Sequence, residues 1–147
     1  MNSHLEKIIE SKKNKISDLK RTIDTQQASA TTKTQQDFLF KKSLEKKGLS
    51  LIAEIKKASP SAGIIRKNFN PITLALEFKK QGASALSIIT EENYFLGDIS
   101  YIQSVKNVTN LPILRKDFII DEIQIYESAL AGANAILLIK AILTTNQ

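Results

Sequence analysis

From residue 51 onward, short apolar runs alternate with longer stretches in which apolar positions recur at helical spacing. LIAEIKK (51–57), ALSIIT (85–90), PILRK (112–116) and NAILLI (134–139) read as four strands. The first intervening helix opens with Asn70 as N-cap and Pro71 at its first position, and stops at Gly82. The second starts near Asp98, with Ile99, Ile102 and Val105 on one side. The third begins at Asp121, whose spacing to Gln124 resembles a capping box, and presents Ile123, Tyr126 and Leu130 on one face. Upstream the pattern is different. Leu5, Ile8, Ile9, Ile16, Leu19 and Ile23 predict an amphipathic helix over 4–23 with one apolar stripe. The polar segment 24–36, DTQQASATTKTQQ, reads as a linker, and a second short helix is expected from Asp37 to Gly48.

Nearly all-apolar strands that alternate with helices indicate a parallel sheet covered by helices, an α/β fold. QGASALSIIT (81–90) and AGANAILLIK (131–140) repeat the same Gly-Ala stop leading into a strand, as expected of successive βα units. An open doubly wound sheet and a closed barrel both fit this order. The loop after the first strand is ASPSAG rather than a glycine-rich phosphate fingerprint, which weakens the dinucleotide-binding form of the open sheet. Charged residues at strand ends favour the barrel, because (β/α)8 barrels gather their chemistry at the C-terminal ends of several strands. The expected organisation is a helical extension over 1–48, followed by barrel strands one to four over 49–147.

Glu54 and Lys56 interrupt an otherwise apolar first strand. They are two residues apart and so project on the same side. A charge withdrawn from water must be paired or have a task, since desolvating it costs several kcal/mol. A structural ion pair is one reading. Lys116, ending a different strand, makes a reaction site the other, because two convergent cations and a carboxylate suit an anionic substrate and proton transfer at a carbonyl or hydroxyl. Ser59 and Ser61 flank Pro60 in a loop, to touch substrate or cap a turn. Tyr94 and Phe95 are placed to wall an apolar ring. Arg115 and Asp117 alternate to the opposite face of their strand, which predicts structural ion pairs. The adjacent Glu91 and Glu92 are read as solvated loop residues.

Composition narrows the field. The 147-residue chain is 42% apolar and 24% charged, a globular profile. It has no cysteine and one histidine, which leaves no disulfide or thiolate metal site. The net charge is +6, but residues 1–50 carry 11 Lys/Arg against 6 Asp/Glu while 51–147 carry 10 against 9. That excess consists mostly of lysines without interleaved aromatics, which predicts a solvated helix face rather than a nucleic-acid site. With no secretory h-region and no span of roughly 20 apolar residues, the expected compartment is the cytoplasm, without membrane association.

AEIKKASPSAGIIR (53–66), ALSIITEENYFLGD (85–98) and LPILRKDFIIDEIQIYESALAGANAILLIKAIL (111–143), in that order, resemble the indole-3-glycerol phosphate synthase family of tryptophan biosynthesis. HLEKIIESKK (4–13) and DFLFKKSL (37–44) resemble that family's N-terminal extension. The resemblance implies a (β/α)8 barrel that closes, decarboxylates and dehydrates 1-(2-carboxyphenylamino)-1-deoxyribulose 5-phosphate without a cofactor or metal. It implies Lys116 as general acid on the ketone oxygen, Lys56 as substrate contact and proton donor in the dehydration, and Glu54 as the carboxylate that orients Lys56 or removes a proton. It also implies Ser59, Phe95, Phe118 and Leu137 as substrate-binding residues. Ala62 and Asp98 depart from the lysine and serine that many members carry. A full barrel needs about 250 residues, so this chain is expected to be the N-terminal half, inactive alone, with a complementary C-terminal half-barrel as partner. Two other readings stay open, namely a different phosphosugar barrel enzyme and a non-catalytic half-barrel that binds or homodimerises.

Overall fold

The computed structural model describes residues 3–26 and 38–145. Most of the polar linker and Asp37, the expected start of the second helix, lie outside the described residues. The amphipathic stripe forms helix α1 (Ser3–Thr22). Helix α2 (Leu39–Leu44) is shorter than the pattern implied. The Ser50 hydroxyl donates to the Leu44 carbonyl at 3.4 Å and supplies a partner where the helical ladder stops.

Strands β1 (Ile52–Ile55), β4 (Ala85–Ile89), β5 (Ile113–Lys116) and β6 (Ala135–Ile136) form one sheet in the order β1-β4-β5-β6. All three pairings are parallel. The loop after β1 contains a small antiparallel hairpin, β2 (Ala58–Ser59) with β3 (Gly63–Ile64), where the sequence suggested irregular structure. β6 is shorter than NAILLI. Its backbone pairing continues once more, through the Leu137 amide to the Arg115 carbonyl at 3.1 Å, before a 3-10 turn at Lys140–Ile142.

Helices α3 (Pro71–Lys80), α4 (Ser100–Lys106) and α5 (Ile123–Ala131) come after β3, β4 and β5. Asn70 caps α3 by accepting the Thr73 amide at 3.0 Å, with Pro71 behind it. Asp121 and Gln124 form a variant of the anticipated capping box just before α5, in which the Asp121 carboxylate takes the amide two residues on rather than three. The Asp121 carboxylate accepts the Ile123 amide at 3.0 Å, and the Gln124 side chain accepts the Asp121 amide at 3.2 Å. Gly132, at φ 93, ends α5 in the left-handed conformation that a side chain would strain.

The period-2 alternation of the strands sorts their residues between two faces. Ala53, Ile55, Leu86, Ile88 and Ile113 pack with Leu74, Ala75, Ile102 and Val105 of α3 and α4 into the main core. Each fully buried aliphatic side chain there contributes about 1.5–3 kcal/mol. The register leaves Glu54, Ser87, Leu114 and Ala135 in one row of the other face, with Ile89 and Lys116 in the next row toward the C-terminal ends. A second cluster, built on Ile16, Ile120 and Ile123, packs α1 against α5 and the loop before it.

Candidate functional site

Glu54 lies near the C-terminal end of β1, with Lys56 just past it and Lys116 at the end of β5, and the sheet brings all three together. Lys56 Nζ is 2.8 Å from one Glu54 carboxylate oxygen, and Lys116 Nζ is 3.3 Å from the other. Their side chains are 31–38% exposed, open enough to reach a ligand and shielded enough for charge to matter. Partial burial alone would raise the Glu54 pKa. The Lys56 contact and the charges of Lys116 and Lys56 outweigh it and hold the carboxyl below the usual range.

Beside Lys116 lies an apolar cleft lined by Ile89, Phe95, Phe118, Leu137 and Ile139, together with Glu91 and Asp117. The Phe95 and Phe118 ring centroids are 6.3 Å apart and tilted by 43°. The cleft holds only about 50 Å³, so its aromatic residues form one wall rather than a closed pocket. A larger cleft of about 340 Å³ lies between Lys20, the 119–122 loop, Leu138 and Leu143, and none of the charged trio lines it. Chemistry, not volume, selects the smaller one. Ser59 is engaged within its own turn, where its hydroxyl accepts the Ala62 amide at 3.2 Å and lies 3.5 Å from the Ser61 hydroxyl. Tyr94 does not line this cleft and meets His4 of α1 edge-on at 5.7 Å.

Glu91 is not a solvated loop residue, and Glu92, whose side chain is 36% exposed, is paired with Lys12 and Lys15. Glu91 is 1% exposed, and its carboxylate accepts the backbone amides of Asn93, Tyr94 and Phe95 at 2.8–3.0 Å. That fixes the loop carrying Phe95. Gly97 closes the same loop by donating to the Glu91 carbonyl at 2.7 Å. Its backbone passes so near that a Cβ there would sit 2.5 Å from the Ile89 carbonyl oxygen.

Behind the sheet, Arg115 and Asp117 form the expected ion pair, at 3.0 Å and almost fully buried. Arg115 also meets Glu127 at 2.7 Å, the Ser128 hydroxyl at 3.0 Å and the Gln124 carbonyl at 3.2 Å. Burial works to raise the Asp117 pKa, but Lys12 and Arg115 overcome it and hold the group below its ordinary range. With Arg115 and Asp117 anchored on one face, alternation turns Lys116 to the other. Lys12 is the residue the sequence reading missed. It is 2% exposed, so the lysine-rich helix face is not solvated throughout. One signal was available, because Lys12 stands four residues from both Ile8 and Ile16, inside the apolar stripe.

A family model described as indole-3-glycerol phosphate synthase matches residues 5–147. The chain belongs to the indole-3-glycerol phosphate synthase family. A protein of that name from Endomicrobium trichonymphae is 46% identical over 143 residues, covering 95% of this chain and 55% of the relative. The synthase of Petrotoga mobilis is 47% identical over 144 residues, 98% of this chain and 51% of the relative. That of Clostridium acetobutylicum is 56% identical over 104 residues, 71% of this chain and 40% of the relative. The chain thus spans about half the length of the curated relatives it matches. Its four-stranded parallel sheet with covering helices is that of a truncated (β/α)8 barrel. No described helix is long and apolar enough to cross a membrane.

Proposed function

We propose that this chain supplies the proton-transfer half of an indole-3-glycerol phosphate synthase site in tryptophan biosynthesis, acting in the cytoplasm. The observation that carries the reading is the Glu54 carboxylate held between two ammonium groups from different strands, at 2.8 and 3.3 Å, beside the Phe95–Phe118 wall. The substrate is 1-(2-carboxyphenylamino)-1-deoxyribulose 5-phosphate. Its aromatic ring lies against Phe95, Phe118 and Leu137, and Ser59 contacts it from the hairpin after β1. The ring carbon that bears the carboxylate attacks the ketone carbon, and Lys116 protonates the ketone oxygen as negative charge develops there. Carbon dioxide then leaves and its bonding electrons restore the ring. Loss of water comes next: Lys56 donates a proton to the departing hydroxyl, and Glu54 takes the proton given up by the carbon beside the nitrogen as the indole double bond forms. Held between the two ammonium groups, Glu54 also orients both lysines.

Strands five to eight of the family barrel would bring the phosphate-holding loops, and a complementary half-barrel is the partner this reading requires. The test is growth of a tryptophan auxotroph lacking the synthase. Expression of these 147 residues alone should not restore growth, and co-expression with a C-terminal half-barrel should. Failure of the pair beside a growing full-length control would overturn the proposal, and turnover by the purified chain alone would overturn the requirement for a partner.

A further inference from the structure

Lys12 reaches two loops at once. Its ammonium lies 3.1 Å from Glu92 in the loop after β4 and 2.8 Å from Asp117 in the loop after β5, with only 2% of the residue exposed. A methionine at this position would continue the Ile8–Ile16 stripe, but it would leave the buried Asp117 carboxylate short of one cation, and breaking a buried pair by removing one partner is strongly destabilising. The carboxylates of the two loops, and not the apolar packing of α1, call for a lysine here. What an ammonium does, and a methionine cannot, is hold two carboxylates from separate loops at one point.

Asp117 is one step from an aromatic of the cleft wall, and Glu92 is two. The Asp117 oxygen that meets Lys12 also accepts the Phe118 amide at 2.8 Å. The other Asp117 oxygen is occupied by Arg115 at 3.0 Å and the Thr90 hydroxyl at 2.6 Å. Glu92 adjoins Glu91, whose carboxylate accepts the Phe95 amide at 3.0 Å. Lys15 pairs with Glu92 as well and approaches Glu127 at 3.9 Å, which completes a closed ring of alternating charge through Lys12, Asp117, Arg115, Glu127, Lys15 and Glu92. The Ser11 hydroxyl accepts from the Asn93 side chain at 2.6 Å, a further tie from α1 to the first of these loops.

We propose that Lys12 is a positioning residue for the substrate's aromatic ring: by tying the loop of Phe95 to the loop of Phe118 it sets the width of the slot beside Lys116. The inference rests on the synthase reading for its substrate, but the tie itself is a property of this chain.

Two measurements test it with Lys12→Met, Lys12→Arg and Glu92→Gln. Amide hydrogen exchange in the full chain should quicken by roughly tenfold or more at residues 93–95 and at Phe118 in Lys12→Met, while Leu86 and Ile88 in the core strand stay protected. Lys12→Arg should restore most of that protection. Glu92→Gln should loosen 93–95 and spare Phe118, which reads the two arms separately and guards against a poorly folded Lys12→Met. In the enzyme reassembled with its C-terminal half, Lys12→Met should raise KM for the aminodeoxyribulose phosphate by roughly tenfold and change kcat far less, since uniform binding is lost rather than proton transfer. Unchanged exchange at both loops overturns the proposal, as does loosened exchange with KM unaltered. A wild-type assembly without activity, in which Lys12→Met still loosens both loops, overturns the synthase reading alone and leaves the tie standing.

Discussion

Glu54 is negative and flanked by two positive groups, and this asymmetry fixes what each can do. In the proposed reaction the two lysines are the proton donors, and Glu54, at 2.8 and 3.3 Å from their ammonium groups, orients them. Lys116→Met should lower kcat of the reassembled enzyme by about 10²–10⁴, the usual worth of a general acid, read from the fluorescence of the indole product. An unchanged kcat would remove Lys116 from the chemistry. Gly97 makes a prediction of another kind. Its Cβ position lies 2.5 Å from the Ile89 carbonyl oxygen and 2.9 Å from that of Glu91, both backbone atoms that cannot swing aside. Gly97→Ala should therefore cost about 1–3 kcal/mol, seen as a lower urea midpoint.

Among the elements, β5 and α5 carry the greatest concentration of buried polar groups. Gln124 is 2% exposed and bonds three backbone groups: it accepts the Ile120 amide at 2.8 Å and the Asp121 amide at 3.2 Å, and donates to the Phe118 carbonyl at 3.1 Å. Gln124→Leu keeps the volume and abandons all three. The expected loss is about 1–3 kcal/mol, the cost of buried backbone groups left unpaired, measurable by denaturant unfolding. The capping box itself was legible, because Asp121 and Gln124 carry a local signal set by helix geometry. The β2–β3 hairpin was not, since two residues per strand are too few to show a period.

At the scale of the molecule, α1 is fastened to the C-terminal side of the sheet by charge. Asp117 and Glu92 are held below their ordinary values of 3.8 and 4.5, in each case because nearby cations outweigh burial. Their contribution to stability is therefore complete above those values and is lost as the pH falls through the lower folded ones. Lys15 runs the other way. Burial lowers its pKa but the pairing with Glu92 more than compensates, so its contribution is complete below 10.5 and is lost as the pH rises through the higher folded value. The part of stability due to this network should be flat from pH 4.5 to 10.5 and fall on either side, as tracked by urea midpoints. An acid loss undiminished in Lys12→Met would contradict the network's role. Among the described residues β1 pairs only with β4 and β6 only with β5, leaving two open edges.

By itself the sequence determined the features that depend on neighbours along the chain. Strand and helix periods, the Asn70 and Asp121 caps, the shared face of Glu54 and Lys56 and the opposite face of Arg115 and Asp117 all rest on spacings of a few residues, which backbone geometry converts directly into direction. Only the tertiary structure decided which distant groups meet. Glu91, Glu92 and Lys12 looked solvated because a charged residue in a loop or on a lysine-rich helix usually is. Glu91 is held by the amides of its own loop. Lys12 and Glu92 find partners because α1 crosses the loops after β4 and β5, where Lys12 meets Glu92 across 80 positions and Lys20 meets Asp121 across 101, separations that no local pattern carries.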